Sequence, residues 1–347
     1  FAEAAPEKGI VAFKYLNYED SQPDQDRMKV SAYSLRAMTP IAGKWAIDVT
    51  GTYDSVSGAS PHAHTDGISG ASSGIRRAID MSVTNYFGPG SVSFGTSYSQ
   101  ESDYISRGLS LQGNYSTPSK NTTFTLGGSI TTDSIDPTNG RVSDILIYTN
   151  VARKKTYAWL TGVTQVVSKD DIVQLNVAQS HGTGFFSDPY KSDDDRPSSR
   201  HNTTVMTKWN HYFESTDGSS RLSYRYYSDT WGIKAHSLTA EYVQPFPHEL
   251  FITPLVRYHS QCAADFYIPV GADIPDTGSI TKDQRLSAYG AVTLGIKVSK
   301  KIADAWLVDV RLDHYMQRSN WGINGKGDPG LAHFNAEFVQ LGIAREF

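Results

Sequence analysis

One cysteine, Cys262, stands in 347 residues, which excludes an internal disulfide and a metal cage built of cysteines alone. No run of about 18 consecutive apolar residues occurs, so no transmembrane helix is expected. The formal net charge is -4, and without a basic surplus there is no case for a nucleic-acid partner. The opening residues do not resemble a signal peptide; "FAEAAPEKG" is compatible with what remains after cleavage of an export signal. Methionines number only 5 and no leucine-rich helical pattern occurs, whereas there are 20 tyrosines and 29 glycines. That balance favours strands and turns. The mean hydropathy of -0.40, ordinary for a soluble protein, gives no hint of a membrane.

Period-2 alternation runs from one end to the other. In "RLSYRYYSD", Leu222, Tyr224 and Tyr226 alternate with Arg221, Ser223 and Arg225. In "AWLVDVRLDHYMQ", Trp306, Val308, Val310 and Leu312 alternate with Asp309, Arg311 and Asp313. In "LSAYGAVTLGIKV", Val292, Leu294 and Ile296 oppose Thr293 and Lys297. Thirteen comparable segments, beginning near residues 10, 28, 44, 74, 90, 105, 122, 155, 171, 202, 236, 249 and 335, bring the expectation to about sixteen strands. Every second connection is tight, as in "PIAGK", "FGPGS", "TPSKN", "SKDD" and "STDGSS". The others are often long: 55–73, 133–152, 181–200, 260–283 and 318–333. The segment "DILIYTN" at 144–150 could add a hairpin arm.

Short turns alternating with long loops fit an outer-membrane barrel, short in the periplasm and long outside. A soluble sandwich would bury its apolar face, yet here that face carries Trp45, Tyr53, Tyr98, Tyr115, Trp209, Tyr224, Tyr242 and Tyr258, mostly near strand ends. Such aromatics suit the headgroup level of a bilayer. A propeller would repeat every 40–50 residues or so, and no such repeat is found. The expectation is therefore an all-β fold, a single antiparallel transmembrane β-barrel spanning residues 1–347, in contact with outer-membrane lipids. The closing stretch "EFVQLGIAREF" sets Val339, Leu341, Ile343 and Phe347 on one face. A closed barrel must pair its last strand with its first, because an open edge in hydrocarbon is prohibitive. The stretch resembles the C-terminal signature of bacterial outer-membrane proteins, which implies that Phe347 is read by the barrel-assembly machinery.

Longer segments carry a wider resemblance. "KYLNYEDSQPDQDRMKV", "DSVSGASPHAHT", "SHGTGFFSDPYKSDDDRP", "KWNHYF", "YRYYSDTWGIKAHSLTAEYVQPFP", "SQCAADFY" and "DQRLSAYGAVTLGIKV" resemble a bacterial family catalogued as domain of unknown function 3570. The likeness covers nearly the whole chain. It implies the outer membrane of Gram-negative bacteria and supplies no catalytic or binding residues. Family members are often linked with small periplasmic lipoproteins and flavin-attaching proteins; the present chain carries no redox or cofactor motif.

Candidate chemistry is sparse. In "HGTGFFSDPYKSDDDRPSSRH", Asp188, Asp193, Asp194 and Asp195, flanked by His181 and His201, form a candidate site for a hard cation such as calcium. The spacing is not an EF-hand, and a solvated acidic external loop is the favoured expectation. "PHAH" sets His62 and His64 two apart, which on a strand points both the same way, but no third ligand follows. Ser180 and His181 are adjacent and so point to opposite faces, which argues against a hydrolase. Cys262 near an outer strand end reads as a packing residue. No enzyme is expected.

The inward face is the informative one. Its parity selects Asp48, Asp54 and Asp80 with hydroxyls from Ser93, Ser97, Thr123 and Thr125, then Lys208, Arg221, Arg225, Glu241, Arg257, Lys297, Asp309, Arg311 and Asp313. Charges of both signs around a lumen tune selectivity in an open pore, or pair and stiffen a closed one. The first reading gives a passive or partner-gated conduit. The second gives a scaffold barrel whose lumen is closed or holds a small lipoprotein or redox partner.

Overall fold

The computed structural model describes residues 4–23, 25–58, 60–69, 73–137 and 152–347. Its first strands are β1 (Ile10–Gln22), β2 (Gln25–Ile41) and β3 (Trp45–Gly58), followed by a small hairpin, β4 (Ser60–Ala63) and β5 (Asp66–Ser69). Next come β6 (Ser73–Phe87), β7 (Gly90–Gln100), β8 (Tyr104–Ser116), β9 (Thr122–Ile135), β10 (Ala152–Val166) and β11 (Asp171–Gly184). The series continues with β12 (Ser199–Phe213), β13 (Gly218–Asp229), β14 (Lys234–Phe246), β15 (Leu250–Gln261), β16 (Tyr289–Ala303), β17 (Trp306–Arg318) and β18 (Phe334–Glu346). All except β4 and β5 pair in order into one closed antiparallel barrel of sixteen strands. The possible arm at 144–150 lies outside the described residues.

Closure is made by β1 and β18, in register from Ile10 opposite Glu346 to Ser21 opposite Asn335. Gly9 and Phe347 extend the seam by exchanging backbone hydrogen bonds of 2.9 and 3.0 Å. The last strand thus leaves no open edge, which hydrocarbon would penalise heavily.

The alternation predicted from sequence appears as an inverted core. Leu35, Phe94, Leu111, Leu126, Leu294 and Leu312 stand fully outward and exposed, on the face that meets lipid. Trp45, Tyr115, Trp209 and Trp306 lie near the tight-turn end. Those turns need left-handed backbone, supplied by Gly43 and Gly88 and, between β14 and β15, by His248 and Glu249. At the other end the connections 184–199, 261–289 and 318–334 are long. Short turns at one end and long loops at the other set the latter outside the cell.

The external loops have a core of their own. Trp231, Ile233, Ala264, Tyr267 and Leu286 bury together, with Phe186, Tyr227 and Phe266 packed against them. Phe186 and Phe266 meet the Trp231 ring edge-on, at 5.5 and 5.3 Å between centroids. The Arg200 guanidinium covers Trp231 at 4.1 Å.

Candidate functional site: the lumen and its external mouth

Every lumen residue selected by parity stands on the inward side of its strand, because its neighbours in sequence, such as Leu222, Val256, Ile296 and Val310, are the exposed apolar ones. What parity does not supply is who pairs with whom. Asp48 takes Arg36 in a bidentate contact, at 2.5 Å for the Nη2–Oδ2 pair. Asp54 takes Arg76 at 2.6 Å, and Asp133 takes Lys154 at 3.0 Å. Arg311 binds Asp313 at 2.8 Å, while Lys297 to Asp309 and Arg221 to Glu241 are looser, each at 4.0 Å. Arg257 donates to the Thr239 hydroxyl at 3.0 Å. Lys208, Arg225 and Asp80 are in no ion pair among the described residues. Arg36, Arg76 and Lys154 belong to this set although sequence reading passed over them; their alternation with outward residues such as Leu35, Ile75 and Lys155 was the available signal.

Glycines make room for the carboxylates. A Cβ on Gly342 would collide with the Asp309 carboxylate, and one on Gly295 with that of Asp313. A cavity of about 360 Å³ on the lumen wall is bordered by Asp48, Asp80, Ser82, Ser97, Ser110 and Thr131. It is polar, and since Asp48 is taken by Arg36 its unpaired charge is the Asp80 carboxylate, opposite in sign to the arginine-bearing wall of β13 and β15.

Above this lumen the external loops interlock, and here the sequence expectation is corrected. Of the aspartates of 188–195, only Asp195 stays exposed without a cation among the described residues; the other three are held in ion pairs. The Asp194 side chain is fully buried, bonded to Arg196 at 2.9 Å and accepting from the Thr281 hydroxyl. Asp188 binds Arg285 at 3.0 Å, Asp193 binds Lys282 at 2.7 Å, and Asp195 pairs its backbone with Ile280. Three of the four carboxylates thus turn to cations, while Asp195 pairs through its backbone alone, and among the described residues no three metal-ligating side chains converge. His181 and His201 do not flank the cluster. They lie on the outward face of β11 and β12, directly opposite each other with rings 6.2 Å apart. His64 is buried with left-handed backbone, not extended, and its Nε2 meets the Ile268 carbonyl at 2.6 Å. The side chain of His62 lies outside the described residues. Ser180 points inward and accepts from Asn202 at 2.6 Å, away from His181. Cys262 receives the Lys234 N–H at 3.1 Å and donates to the Gly232 carbonyl at 3.2 Å, tying two strand ends together.

Asp283 is the centre of the interlock. Its carboxylate is 1% exposed and takes Arg285 at 2.5 Å and Arg196 at 2.9 Å. Burial pushes its pKa up, but the guanidinium of Arg285, with Lys191 and Arg196, outweighs burial and holds it well below the usual carboxylate range. Asp194 behaves oppositely: burial raises it, and Arg196 offsets this only in part. Next to Asp283, Gln284 accepts from Gln22 of β1 at 3.3 Å. The loop between β11 and β12 rises diametrically opposite β1 and β2 in the strand order. Contacts running Asp188 and Arg196, Asp283 and Arg285, Gln284, Gln22 therefore bridge the full width of the mouth. The hairpin of β4 and β5 joins through the His64 N–H to the Lys282 carbonyl, 2.6 Å, and the 318–334 loop through Asp328, which takes the Tyr267 hydroxyl at 2.8 Å.

An apolar exterior, a polar lumen and a closed sheet define an outer-membrane β-barrel of a Gram-negative bacterium. The chain belongs to the family described as "Protein of unknown function (DUF3570)", whose model matches residues 62–338. No curated protein matches the sequence. Among solved structures, a "Bacterial polysaccharide outer membrane secretin" is similar, at 10% identity and TM-score 0.55 over 98% of both chains. The siderophore receptor PirA from Pseudomonas aeruginosa matches at 7% identity and TM-score 0.51, over 96% of this chain and 62% of that one. CdiB from Acinetobacter baumannii matches at 10% identity and TM-score 0.51, over 96% of this chain and 60% of that one. At these identities the likeness concerns the fold.

Proposed function

We propose that this barrel is a gated conduit across the outer membrane and not an enzyme. The observation that carries this reading is the ionic bridge centred on Asp283, spanning the mouth above a charged, polar lumen. Barrels of sixteen strands leave an aqueous channel unless something fills it, and here the external loops are built to cover it. The bridge is a latch: it rests on a few ionic contacts between separate loops, so a solute or partner that competes for Asp283 or Arg196 would release it. Selectivity then falls to the lumen, with the unpaired carboxylate of Asp80 on one wall and a cationic wall at Arg225 and Arg257. Planar-bilayer recording tests the reading. The wild-type barrel is expected to conduct little, and the double variant Arg196→Ser/Arg285→Ser to conduct steadily. Full, ungated conductance in the wild type would refute the latch.

A second reading, the scaffold barrel, is favoured by the pairing of most lumen charges within the wall itself, which stiffens the barrel more than it polarises a pore. Its partner would be a small periplasmic lipoprotein entering from the tight-turn side. That reading expects a small protein to co-purify with the barrel and the latch variant to stay silent until it is stripped. For assembly, Phe347 at the closing seam is proposed as the residue that the barrel-assembly machinery reads.

A further inference from the structure

Four cations stand where lipid should be. In β6, β8 and β10 the outward parity that selects Ile79, Leu109 and Tyr157 also selects Arg77, Arg107, Arg153 and Lys155, and all four are exposed. They lie at the external ends of their strands. Two lateral rows hold them: Tyr98, Arg107, Thr132 and Lys155, then Arg77, Gln100, Ile105, Ser134 and Arg153. Arg107 and Lys155 are two strands apart, roughly 10 Å, and Arg153 sits one side-chain step above Lys155, roughly 7 Å.

Their height is set by the aromatics beside them. The Arg107 guanidinium covers the Tyr98 ring at 5.8 Å, and the Lys155 ammonium covers Tyr157 at 4.8 Å. Tyr at the end of an apolar band marks the headgroup level, so these cations emerge among the headgroups of the outer leaflet. At two other places on the outward rim charge is balanced: Lys29 faces Glu19 at 3.5 Å and His314 faces Glu337 at 3.7 Å. None of the four cations lies in an ion pair among the described residues. A cavity of about 510 Å³ opens between three of them, bordered by Arg107, Thr132, Ser134, Arg153, Lys155 and Thr183. The one carboxylate on its border, Asp133, is turned inward and held by Lys154 at 3.0 Å. Gly184, with φ of +119°, keeps the cavity's upper edge tight against β10, since a Cβ there would strike the Arg153 carbonyl.

We infer that this patch binds the phosphorylated headgroup of an outer-leaflet glycolipid, of the lipopolysaccharide class. The cations match its phosphates in charge, the Thr and Ser hydroxyls suit its sugar, and the apolar surface of Leu109, Leu111 and Leu126 below would receive its acyl chains. Independent of whether the barrel conducts, such a site anchors it in the outer leaflet on one side only.

The test uses the full-length barrel in phosphatidylcholine nanodiscs. Lipopolysaccharide should bind about tenfold or more tightly than the same glycolipid stripped of its lipid-anchor phosphates, since one charge-assisted contact is worth that much. Arg107→Ser/Arg153→Ser/Lys155→Ser should erase the difference while keeping heat-modifiable mobility, and Lys29→Ser should leave it unchanged. If the triple variant does not fold, Arg153→Ser alone should still reduce the difference. Equal binding of the dephosphorylated glycolipid, equal binding of phosphatidylglycerol, or a folded triple variant that still discriminates would each overturn the inference.

Discussion

Replacing Asp283 with Ala should unlatch the mouth without unfolding the barrel. The carboxylate is 1% exposed, and it is the shared acceptor for Arg285 and for Arg196, whose own side chain is 11% exposed. Arg285, two residues on, also donates its N–H to the Asp283 carboxylate at 2.9 Å, so the change loosens the 3-10 turn Gln284–Leu286 as well. Arg196 keeps Asp194 and the 64% exposed Arg285 keeps Asp188, so the loss is that of charge-assisted hydrogen bonds, about 1.5–3 kcal/mol, and not the full penalty of a stranded buried charge. At 1.4 kcal/mol per factor of ten, the open state of the loops should gain roughly 10–10²-fold in population. The sixteen-strand sheet is untouched, so heat-modifiable mobility should be that of the wild type. Hydrogen exchange of amides 194–196 and 281–287 should speed up by that factor, and conductance should rise with it. Asp276→Ala in the exposed stretch of the same loop is the control, expected within about 0.5 kcal/mol of the wild type. Exchange at 281–287 unchanged in Asp283→Ala would show that the loops are held by Trp231 and its neighbours and not by the ionic centre.

Acid should not open the latch until the pH is low: Asp283 has a depressed pKa, so its contribution persists above the ordinary carboxylate value near 3.9 and fades only as pH falls through its own lower value. Asp194, raised by burial, takes up a proton earlier and then favours the packed state, so protection of these loops relative to the intrinsic exchange rate should be no lower at pH 5 than at pH 7 and should fall only below about pH 4. Val310→Arg, on the lipid face of β17, should impair insertion, since a midplane Arg there costs about 2–4 kcal/mol. By contrast Ser97→Arg, inward and opposite Asp80, should be tolerated, and equal loss of folded barrel in both would mean the faces are misread. Arg225→Ser/Arg257→Ser in the unlatched background should move the reversal potential towards cations, most at low ionic strength where screening is weakest; no movement would exclude the β13–β15 wall from selectivity. Deleting Phe347 removes the residue that bonds Gly9 across the seam and should lower the amount of folded barrel in the outer membrane, as read by heat-modifiable mobility.

The strands were legible because their code is local. A pleat repeats every two residues, so Val310 and Leu312 against Asp309 and Asp313 declare both the strand and its two faces. The same parity placed Arg225, Glu241 and Lys297 inward and fixed the order of short and long connections. The pairing inside the lumen was not legible. Arg36 meets Asp48 across a turn, and which of several nearby carboxylates an arginine takes depends on register and on the room that Gly295 and Gly342 leave. The latch was least legible of all. Asp283 and Arg196 are separated by 87 residues, and Thr281 and Asp194 by the same span. Neither loop has a period, so the aspartates of 188–195 looked like solvated charge. A lone Trp231 in the polar turn "SDTWGIK" was the one local sign that something buries there. Periodicity encodes what a residue does relative to its own neighbours, whereas loops joined to strands four apart in the barrel meet only after closure has brought their strand ends around one mouth.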